Sequence, residues 1–259
     1  MAKSKKSSKK ILPKLTESNY YSNEADLHYM SVSQYKSFMK CEAETMAKIR
    51  GEYKEPITKA LLVGLFVDSY FEGTLEQFMK DNPEIFTKQE ELRADFRRAN
   101  EIIARINADK TFMNFLSGEK QKILTFELFG IPWKIKIDSF IPDKCIVDLK
   151  TSRRTEELPK WRYDIQGAVY QKGVELNGLG TLPFYLAVAT KEKVSELNIF
   201  QIPQSTLDLT LMEVGENIPH IMEVKSGKTE PTRCGKCAYC KATKVTKIRN
   251  YNELLEGQK

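Results

Sequence analysis

The stretch from residue 133 to residue 150 alternates apolar and polar side chains on both sides of a Pro-Asp-Lys turn at residues 142–144. Such alternation is typical of two neighbouring β-strands, because successive side chains of a strand point to opposite faces. The first strand should then place its apolar residues on one face and Asp138 on the other. The second strand should project Asp148 and Lys150 together. A hairpin between the two strands would bring two carboxylates and one ammonium into one place.

Periodicity along the rest of the chain predicts both helices and strands. Apolar residues recur at helical spacing in five segments, and shorter runs bounded by turn residues are typical of strands. We therefore predict an α+β fold in which a mixed, mostly antiparallel sheet is flanked by helices. The predicted helices span residues 33–51, 56–73, 88–108, 163–177 and 205–224, and the predicted strands span 123–129, 133–140, 145–149, 181–190 and 195–202.

The composition excludes several classes of protein. The 259 residues are 41% hydrophobic and 29% charged, which is typical of a globular chain. No apolar run approaches the roughly 20 residues of a membrane-spanning helix, and the lysine-rich N-terminus lacks the apolar core of a secretory signal. Five cysteines, an odd number, favour a reducing compartment over a disulfide framework. We expect a cytoplasmic protein that contacts no membrane.

The net charge of +6 is unevenly distributed. Residues 1–14 carry six lysines and no acid, residues 222–249 also sum to +6, and residues 15–221 sum to −5. Basic ends on an acidic body favour a polyanionic partner, with nucleic acid as the first choice. The alternative for residues 1–14 is a merely solvated, disordered tail.

The acidic residues of the two central strands indicate a metal site. Two carboxylates beside an ammonium are electrostatically costly unless a divalent cation joins them. Mg²⁺ prefers such oxygen ligands, and bound to a phosphodiester it would polarise the phosphorus and activate a water. Lys150 would orient that water and stabilise charge in the transition state. The alternative for Asp138, Asp148 and Lys150 is an exposed strand face with an ordinary surface ion pair.

Two helices add polar residues to this picture. Gln166 and Tyr170 lie four residues apart, on one face of a predicted helix, and are suited to contacts with a DNA backbone. Asp68 lies in an otherwise apolar helix that also contains Gly64. A charge there is costly unless it is paired or bound to metal, so Asp68 is a candidate ligand. The alternative is an acid at the solvent edge of the helix.

Taken in order, Gly64…Asp68, Asp138, Asp148-Leu-Lys150 and Gln166-x-x-x-Tyr170 resemble the motifs of the PD-(D/E)xK nuclease superfamily and its RecB-like branch. The chain looks most similar to phage and prophage RecE-type exonucleases, a group that includes the lambda exonuclease. The resemblance covers residues 31–170. It implies a restriction-endonuclease-like core, with a nuclease domain over residues 15–224, a basic tail over 1–14 and a basic Cys-rich segment over 225–259 that packs back on the domain.

The resemblance also implies roles for single residues. Ile137 precedes the first acid where the family has Pro, Asp148 replaces the commoner Glu, and Asp68 falls where many relatives have a His ligand. None of these departures removes a required functional group. The implied roles are metal ligation by Asp68, Asp138 and Asp148, catalysis by Asp138, Asp148 and Lys150, DNA binding by Gln166 and Tyr170, and an accessory acid at Glu127.

The family implies a Mg²⁺-dependent (or Mn²⁺-dependent), ATP-independent exonuclease. Its members degrade linear double-stranded DNA from the end, often 5′→3′, and leave 3′ single-stranded tails for phage recombination. The tail is usually passed to an annealing protein of the RecT or Redβ type, and processive relatives form ring-shaped trimers or tetramers. We expect a phage or prophage protein that acts in the bacterial cytoplasm. The alternatives are a RecB-branch iron–sulfur endonuclease or exonuclease of another DNA-processing role, and a catalytically silent DNA-binding protein.

Three late cysteines, Cys234, Cys237 and Cys240, have C-x₂-C-x₂-C spacing within a basic segment. Three thiols are one short of a four-ligand site, and Cys41 is the candidate for the fourth. Some RecB-branch nucleases hold a [4Fe–4S] cluster with one early and three late cysteines, usually with a longer final gap than here. Zn²⁺ accepts four thiolates equally well, and unliganded thiols are the third possibility. Cys145 alternates with apolar residues and is expected in the core.

Overall fold

The computed structural model describes residues 12–246 together with residues 248, 250 and 252. Most of the predicted basic tail, residues 1–11, and the last part of the Cys-rich segment lie outside the described residues. Within the described part the chain forms ten α-helices: α1 (Asn23–His28), α2 (Val32–Lys40), α3 (Glu42–Ile49), α4 (Lys59–Glu72), α5 (Leu75–Asp81), α6 (Ala94–Asn107), α7 (Lys110–Phe115), α8 (Tyr163–Leu176), α9 (Gln204–Lys225) and α10 (Ala238–Ala242). It also forms five strands: β1 (Glu119–Leu128), β2 (Ile131–Ile141), β3 (Cys145–Ser152), β4 (Phe184–Thr190) and β5 (Leu197–Gln201).

The five strands form one mixed sheet in the order β1-β2-β3-β4-β5. Three neighbouring pairs are antiparallel, and only β3 and β4 are parallel. A parallel pair needs a long crossover, and α8 lies within it. The predicted α+β fold with a mostly antiparallel, helix-flanked sheet is therefore confirmed.

Helices cover both faces of this sheet. One apolar core joins the sheet to α2, α8 and α9, and it includes the fully buried Trp133, Ile135 and Ile137. A second core on the other side joins the sheet to α4, α6 and α7. Because both faces are covered, β3 and β4 consist almost entirely of buried residues. No helix in the described part of the chain has both the length and the apolar character needed to cross a bilayer.

The pairing of β2 with β3 is short. The two strands are joined only over residues 139–141 of β2 and 145–147 of β3, although both strands continue well beyond that region. The part of β2 that has left β3 pairs with the N-terminal segment instead, because Met30 N–H donates to the Pro132 carbonyl and Lys134 N–H donates to the Met30 carbonyl. The sheet is therefore split between β2 and β3.

Helix and strand ends differ from the sequence-based prediction at several points. The predicted helix over residues 33–51 is broken at Cys41, whose backbone is extended. Residues 88–93 are not helical, since α6 begins at Ala94. The β1–β2 turn lies at Phe129 and Gly130, both with positive φ, so that Pro132 belongs to β2 rather than to the turn. The helices α5 and α7 were not predicted because their apolar patterns are too short to show a period.

Candidate active site

Asp138 lies where β2 separates from β3. Ser139 is the last residue of β2 that pairs with β3. The next backbone donor along β3, the Leu149 N–H, is bound by Oδ2 of Asp138 at 3.0 Å. The carboxylate thus replaces the strand carbonyl that an uninterrupted sheet would supply. The split in the sheet therefore holds Asp138 at a set distance from β3.

Asp148 and Lys150 project from β3 toward Asp138. Lys150 Nζ lies 2.6 Å from Asp148 Oδ2 and 4.0 Å from Asp138 Oδ2. On the other side, Gln166 Nε2 of α8 donates to Asp148 Oδ1 at 2.6 Å. The Asp148 side chain is only 2% exposed, whereas the side chains of Asp138 and Lys150 are about a quarter exposed, at 27% and 26%. The predicted trio is therefore brought together in a partly open site.

Burial determines the electrostatics of these groups. Desolvation raises the pKa of Asp148 to about 7 even though Lys150 opposes the shift. Burial alone would lower the pKa of Lys150, but the carboxylates of Asp148, Asp138 and Asp68 outweigh it and raise the pKa above its ordinary value. Lys150 therefore stays an ammonium, which can donate hydrogen bonds and stabilise negative charge but cannot accept a proton.

Asp68 reaches the same site from the opposite face of the sheet. The helix α4 begins at a Thr58 cap, whose hydroxyl accepts the Leu61 N–H, and ends at Gly73 in the left-handed conformation. Gly64 lets this helix approach β3 closely, because a Cβ at that position would lie 3.2 Å from Oγ1 of Thr151. One turn later, Asp68 is half-buried, and its pKa is raised well above the ordinary value by desolvation and by Asp138.

The donor set fits a hard divalent cation. Within the described residues, Oδ1 of Asp68 is buried and has no hydrogen-bond partner, which is costly for an ionised carboxylate. A small cavity of about 10 Å³ lies between Asp68, Asp138 and Leu149. Carboxylate oxygens from α4, β2 and β3 are the ligands that Mg²⁺ and Mn²⁺ prefer. A bound cation would satisfy the orphaned oxygen and balance the clustered negative charge.

The two predicted DNA-contacting residues bind protein groups in this structure. The amide of Gln166 orients Asp148, as described above. The hydroxyl of Tyr170 donates to the Lys136 carbonyl at 3.0 Å, and the Tyr170 residue is only 8% exposed. Direct contact of either side chain with DNA stays a prediction, whereas their support of β2 and β3 is visible.

Glu127 does not belong to the site. It is exposed and pairs with Pro132, six residues along β2 from Asp138. At about 3.3 Å per residue this corresponds to roughly 20 Å. The accessory role expected for Glu127 is therefore corrected: strand register places its carboxylate at the far end of the hairpin.

Three lysines near the carboxylates were not identified from the sequence. The ammonium of Lys36 donates to the Trp161 carbonyl at 2.8 Å, and its pKa is lowered to about 8 by burial while Asp148 opposes the shift. The ammonium of Lys191 donates to the Ala60 carbonyl and interacts with Asp68, and Lys120 interacts with Asp138. No sequence motif marks these residues, because they come from three separate parts of the chain: α2, β1 and the segment after β4. Together they give the acidic site a basic surrounding.

The four cysteines Cys41, Cys234, Cys237 and Cys240 converge on a second site. Their sulfur atoms all lie within 4.8 Å of one another; Cys41 lies 3.5 Å from Cys240 and 3.9 Å from Cys237. The helix break at Cys41 directs its thiol toward the three late cysteines, which have the spacing of a four-thiolate site. Cys145 lies elsewhere, buried in the core of the sheet.

Hydrogen bonds fasten the Cys-rich segment to α3. The Glu42 carboxylate accepts from the backbone N–H and the hydroxyl of Thr232 at 2.7 and 2.9 Å and lies 2.6 Å from Nε2 of His220. Backbone N–H groups also point at the sulfurs, and those of Cys237 and Lys236 lower the pKa of the Cys234 thiol to about 6. A thiolate is therefore favoured at Cys234, whereas burial raises the pKa of Cys237 to about 12 and also raises that of Cys41; a bound metal would have to displace the protons of these two thiols.

Comparison with known proteins identifies the family and agrees with the fold. Residues 31–243 match the family described as “PDDEXK-like domain of unknown function (DUF3799)”. The crystal structure of a protein from Eubacterium rectale, named a “putative exonuclease”, is 45% identical, covers 95% of this chain and 99% of its own, and superposes with a TM-score of 0.91. The structure of SSO0001 covers 84% of this chain and 96% of its own at 16% identity, but its TM-score of 0.33 is too low to support an argument. No curated protein matches the sequence.

Proposed function

This chain belongs to the family of PDDEXK-like domains, and from that membership we propose that it is a Mg²⁺-dependent exonuclease of linear double-stranded DNA. The observation that carries the proposal is the convergence of Asp68, Asp138, Asp148 and Lys150 at the split between β2 and β3. The name of the Eubacterium rectale protein, a “putative exonuclease”, supports action on nucleic-acid ends. Mn²⁺ is the expected substitute for Mg²⁺, since it accepts the same oxygen ligands.

Each residue of the site has a task in phosphodiester hydrolysis. Asp68, Asp138 and Asp148 would hold the cation, which when bound polarises the phosphate and activates water for attack. Lys150 remains charged and donates hydrogen bonds to oxygens that gain negative charge. Gln166 keeps the Asp148 carboxylate oriented, in the way that neighbours of a metal ligand commonly do. Lys36 and Lys191 supply positive charge for the DNA strand that enters the site.

The remaining features of the proposal rest on the resemblance. They are digestion without ATP, 5′→3′ polarity, production of 3′ single-stranded tails for phage recombination, transfer to an annealing protein of the RecT or Redβ type, a ring-shaped trimer or tetramer, and action in the cytoplasm of a bacterial host. The division into a basic tail, a nuclease domain over 15–224 and a Cys-rich segment over 225–259 is proposed on the same basis. The hydrogen bonds between α3 and Thr232 support packing of that segment on the domain.

One digestion experiment tests activity, polarity and energy requirement together. Duplex DNA labelled at either the 5′ or the 3′ end is incubated with Mg²⁺ and without ATP, beside closed circular DNA. We expect mononucleotides from linear DNA only. The variants Asp148→Ala and Lys150→Ala should abolish cleavage while DNA binding persists, and Glu127→Ala is the matched control outside the site. Nicking of the circle would favour an endonuclease, and binding without cleavage would favour a catalytically silent DNA-binding protein.

We propose further that the four-cysteine site holds a [4Fe–4S] cluster, with Zn²⁺ as the alternative. The four mutually close sulfurs support a four-thiolate site but do not distinguish the two. Protein purified without oxygen should show an absorbance band at about 400 nm that disappears in Cys237→Ser. Cys145→Ser is the control, because that thiol lies outside the site. A colourless protein with one zinc per chain would establish the alternative.

A further inference from the structure

Tyr21 presents a large aromatic ring to solvent close to the carboxylate site. Tyr21 lies in a turn just before α1, and the residue is 74% exposed, whereas the neighbouring Tyr20 is 6% exposed. The two rings meet edge to face with their centroids 4.9 Å apart. Burial of the inner ring thus supports the outer ring from one side and leaves it open to a ligand.

The turn that carries Tyr21 is held firmly against β2. The buried ammonium of Lys134 donates to the Tyr20 carbonyl at 2.5 Å and to Oδ1 of Asp26 at 2.6 Å. The Lys134 side chain is only 2% exposed. A buried ammonium that is paired with a carboxylate and a backbone carbonyl is costly to displace. The exposed ring is therefore a preformed feature of the surface.

Lys136 connects the ring to the catalytic strand. Its ammonium lies 4.9 Å from the ring centroid of Tyr21 and 5.8 Å from that of Tyr20. Lys136 and Asp138 are two residues apart on β2, so they share a face and are separated by roughly 7 Å along the strand. The negative charge of Asp138 also acts on the Tyr21 hydroxyl. The ring, the ammonium and the metal-binding carboxylate thus form one continuous row.

We propose that Tyr21 is a binding subsite for a nucleobase of the substrate strand, next to the phosphodiester that is cleaved. A nucleobase is a flat ligand that stacks on an exposed aromatic ring regardless of sequence. Lys136 occupies one side of the ring and binds the phosphate of the same nucleotide. A base inside a duplex has both faces covered by its neighbours, so the subsite takes a terminal base or one that has left the duplex. This inference rests on the proposed nuclease function and adds the substrate conformation that the site recognises.

The test removes each partner of the proposed stack separately and then together. Binding of a fluorescein-labelled duplex is measured by anisotropy with Ca²⁺ in place of Mg²⁺, using intact DNA and a set in which each of the last three nucleotides of one strand end is abasic in turn. The proteins are the wild type, Tyr21→Ala, Tyr21→Trp, and Tyr70→Ala as a control at a tyrosine of α4 that is also exposed. Both strand ends are examined.

We expect Tyr21→Ala to weaken binding of intact DNA about tenfold, and Tyr21→Trp and Tyr70→Ala to leave it within about twofold. One abasic position should weaken DNA binding by the wild type by the same factor. The same abasic position should not change binding by Tyr21→Ala, because the stacking contact is already absent in that variant. Equal effects of that abasic position on wild type and Tyr21→Ala, or undiminished binding by Tyr21→Ala, would overturn the subsite. If the wild type degrades linear DNA in Mg²⁺ but the expected binding results are not obtained, the subsite alone is refuted. If the wild type degrades no DNA, the nuclease function is refuted.

Discussion

Replacing Lys150 by methionine tests whether the site is held together by charge. The substitution keeps most of the side-chain volume but leaves the buried Asp148 carboxylate, 2.6 Å from the lost ammonium, without its counter-ion. Removing one partner of a buried ion pair usually costs about 3–5 kcal/mol. Since 26% of the Lys150 side chain is exposed, we expect the lower end of that range, about 3 kcal/mol, at pH 8 without Mg²⁺.

The loss should depend strongly on pH. Burial raises the pKa of Asp148 to about 7. Between the ordinary pKa and this value, the folded state holds a proton that the unfolded state releases, and protonation therefore stabilises the folded state. That contribution to stability is complete below the ordinary value of 3.8 and is lost as the pH rises through about 7. At pH 5 Asp148 is largely neutral in the wild type. Because pH 8 lies one unit above its pKa of about 7, and one unit corresponds to about 1.4 kcal/mol, Lys150→Met should cost only about 1.5 kcal/mol at pH 5.

Urea unfolding followed by circular dichroism measures both values. The buffer is passed over chelating resin, so that Mg²⁺ is absent, and the two pH values are run in parallel. Lys172→Met is the control, because that ammonium pairs with Glu175 on the exposed side of α8 and a surface pair contributes less than about 1 kcal/mol. A loss for Lys150→Met that is the same at both pH values, or below about 1 kcal/mol at pH 8, would refute the electrostatic account.

Three further predictions concern other parts of the molecule. Gln166→Leu should lower cleavage or metal affinity about 10–100-fold with an unchanged circular dichroism spectrum, because the amide orients Asp148; unchanged kinetics in a Mg²⁺ titration would contradict this. Glu42→Gln should speed the loss of the thiolate-bound metal, measured by metal content after gel filtration, since the carboxylate fastens the Cys-rich segment; retention equal to that of the wild type would argue against it. Gly173→Ala should lower the free energy of unfolding by about 1–3 kcal/mol in urea titration, because the new methyl would overlap the ring of Phe126, and a neutral effect would show that this core can adjust.

Local physics explains which features could be read from the sequence. The alternation around Asp138 and Asp148 identified the two central strands, since side-chain direction along a strand depends only on a period of two. The same period placed Asp148 and Lys150 together, and the structure brings them to 2.6 Å. The C-x₂-C-x₂-C spacing likewise identified three neighbouring thiols, because a short loop keeps such residues close.

Features that depend on long-range contacts could not be read in this way. Helix periodicity continued through Cys41, yet the backbone becomes extended there, and that thiol meets Cys240, which is 199 residues away. Lys36 and Lys191 come from separate elements, and no spacing rule connects them to Asp148 or Asp68. The sequence made Glu127 a candidate accessory acid on the strand before Asp138. Only the register of the β1–β2 hairpin shows that Glu127 lies at the end of the hairpin far from Asp138.

The residue types and the local faces of the site were thus determined by the sequence, because strand and helix periods act over a few residues. The place where β2 leaves β3, and hence the distance between Asp138 and Asp148, was decided by tertiary structure alone. There the N-terminal segment around Met30 takes over the hydrogen bonds of β2, and the Asp138 carboxylate takes over one donor of β3. Backbone groups must be paired wherever they are buried, and which partner pairs them depends on segments that are distant in the chain.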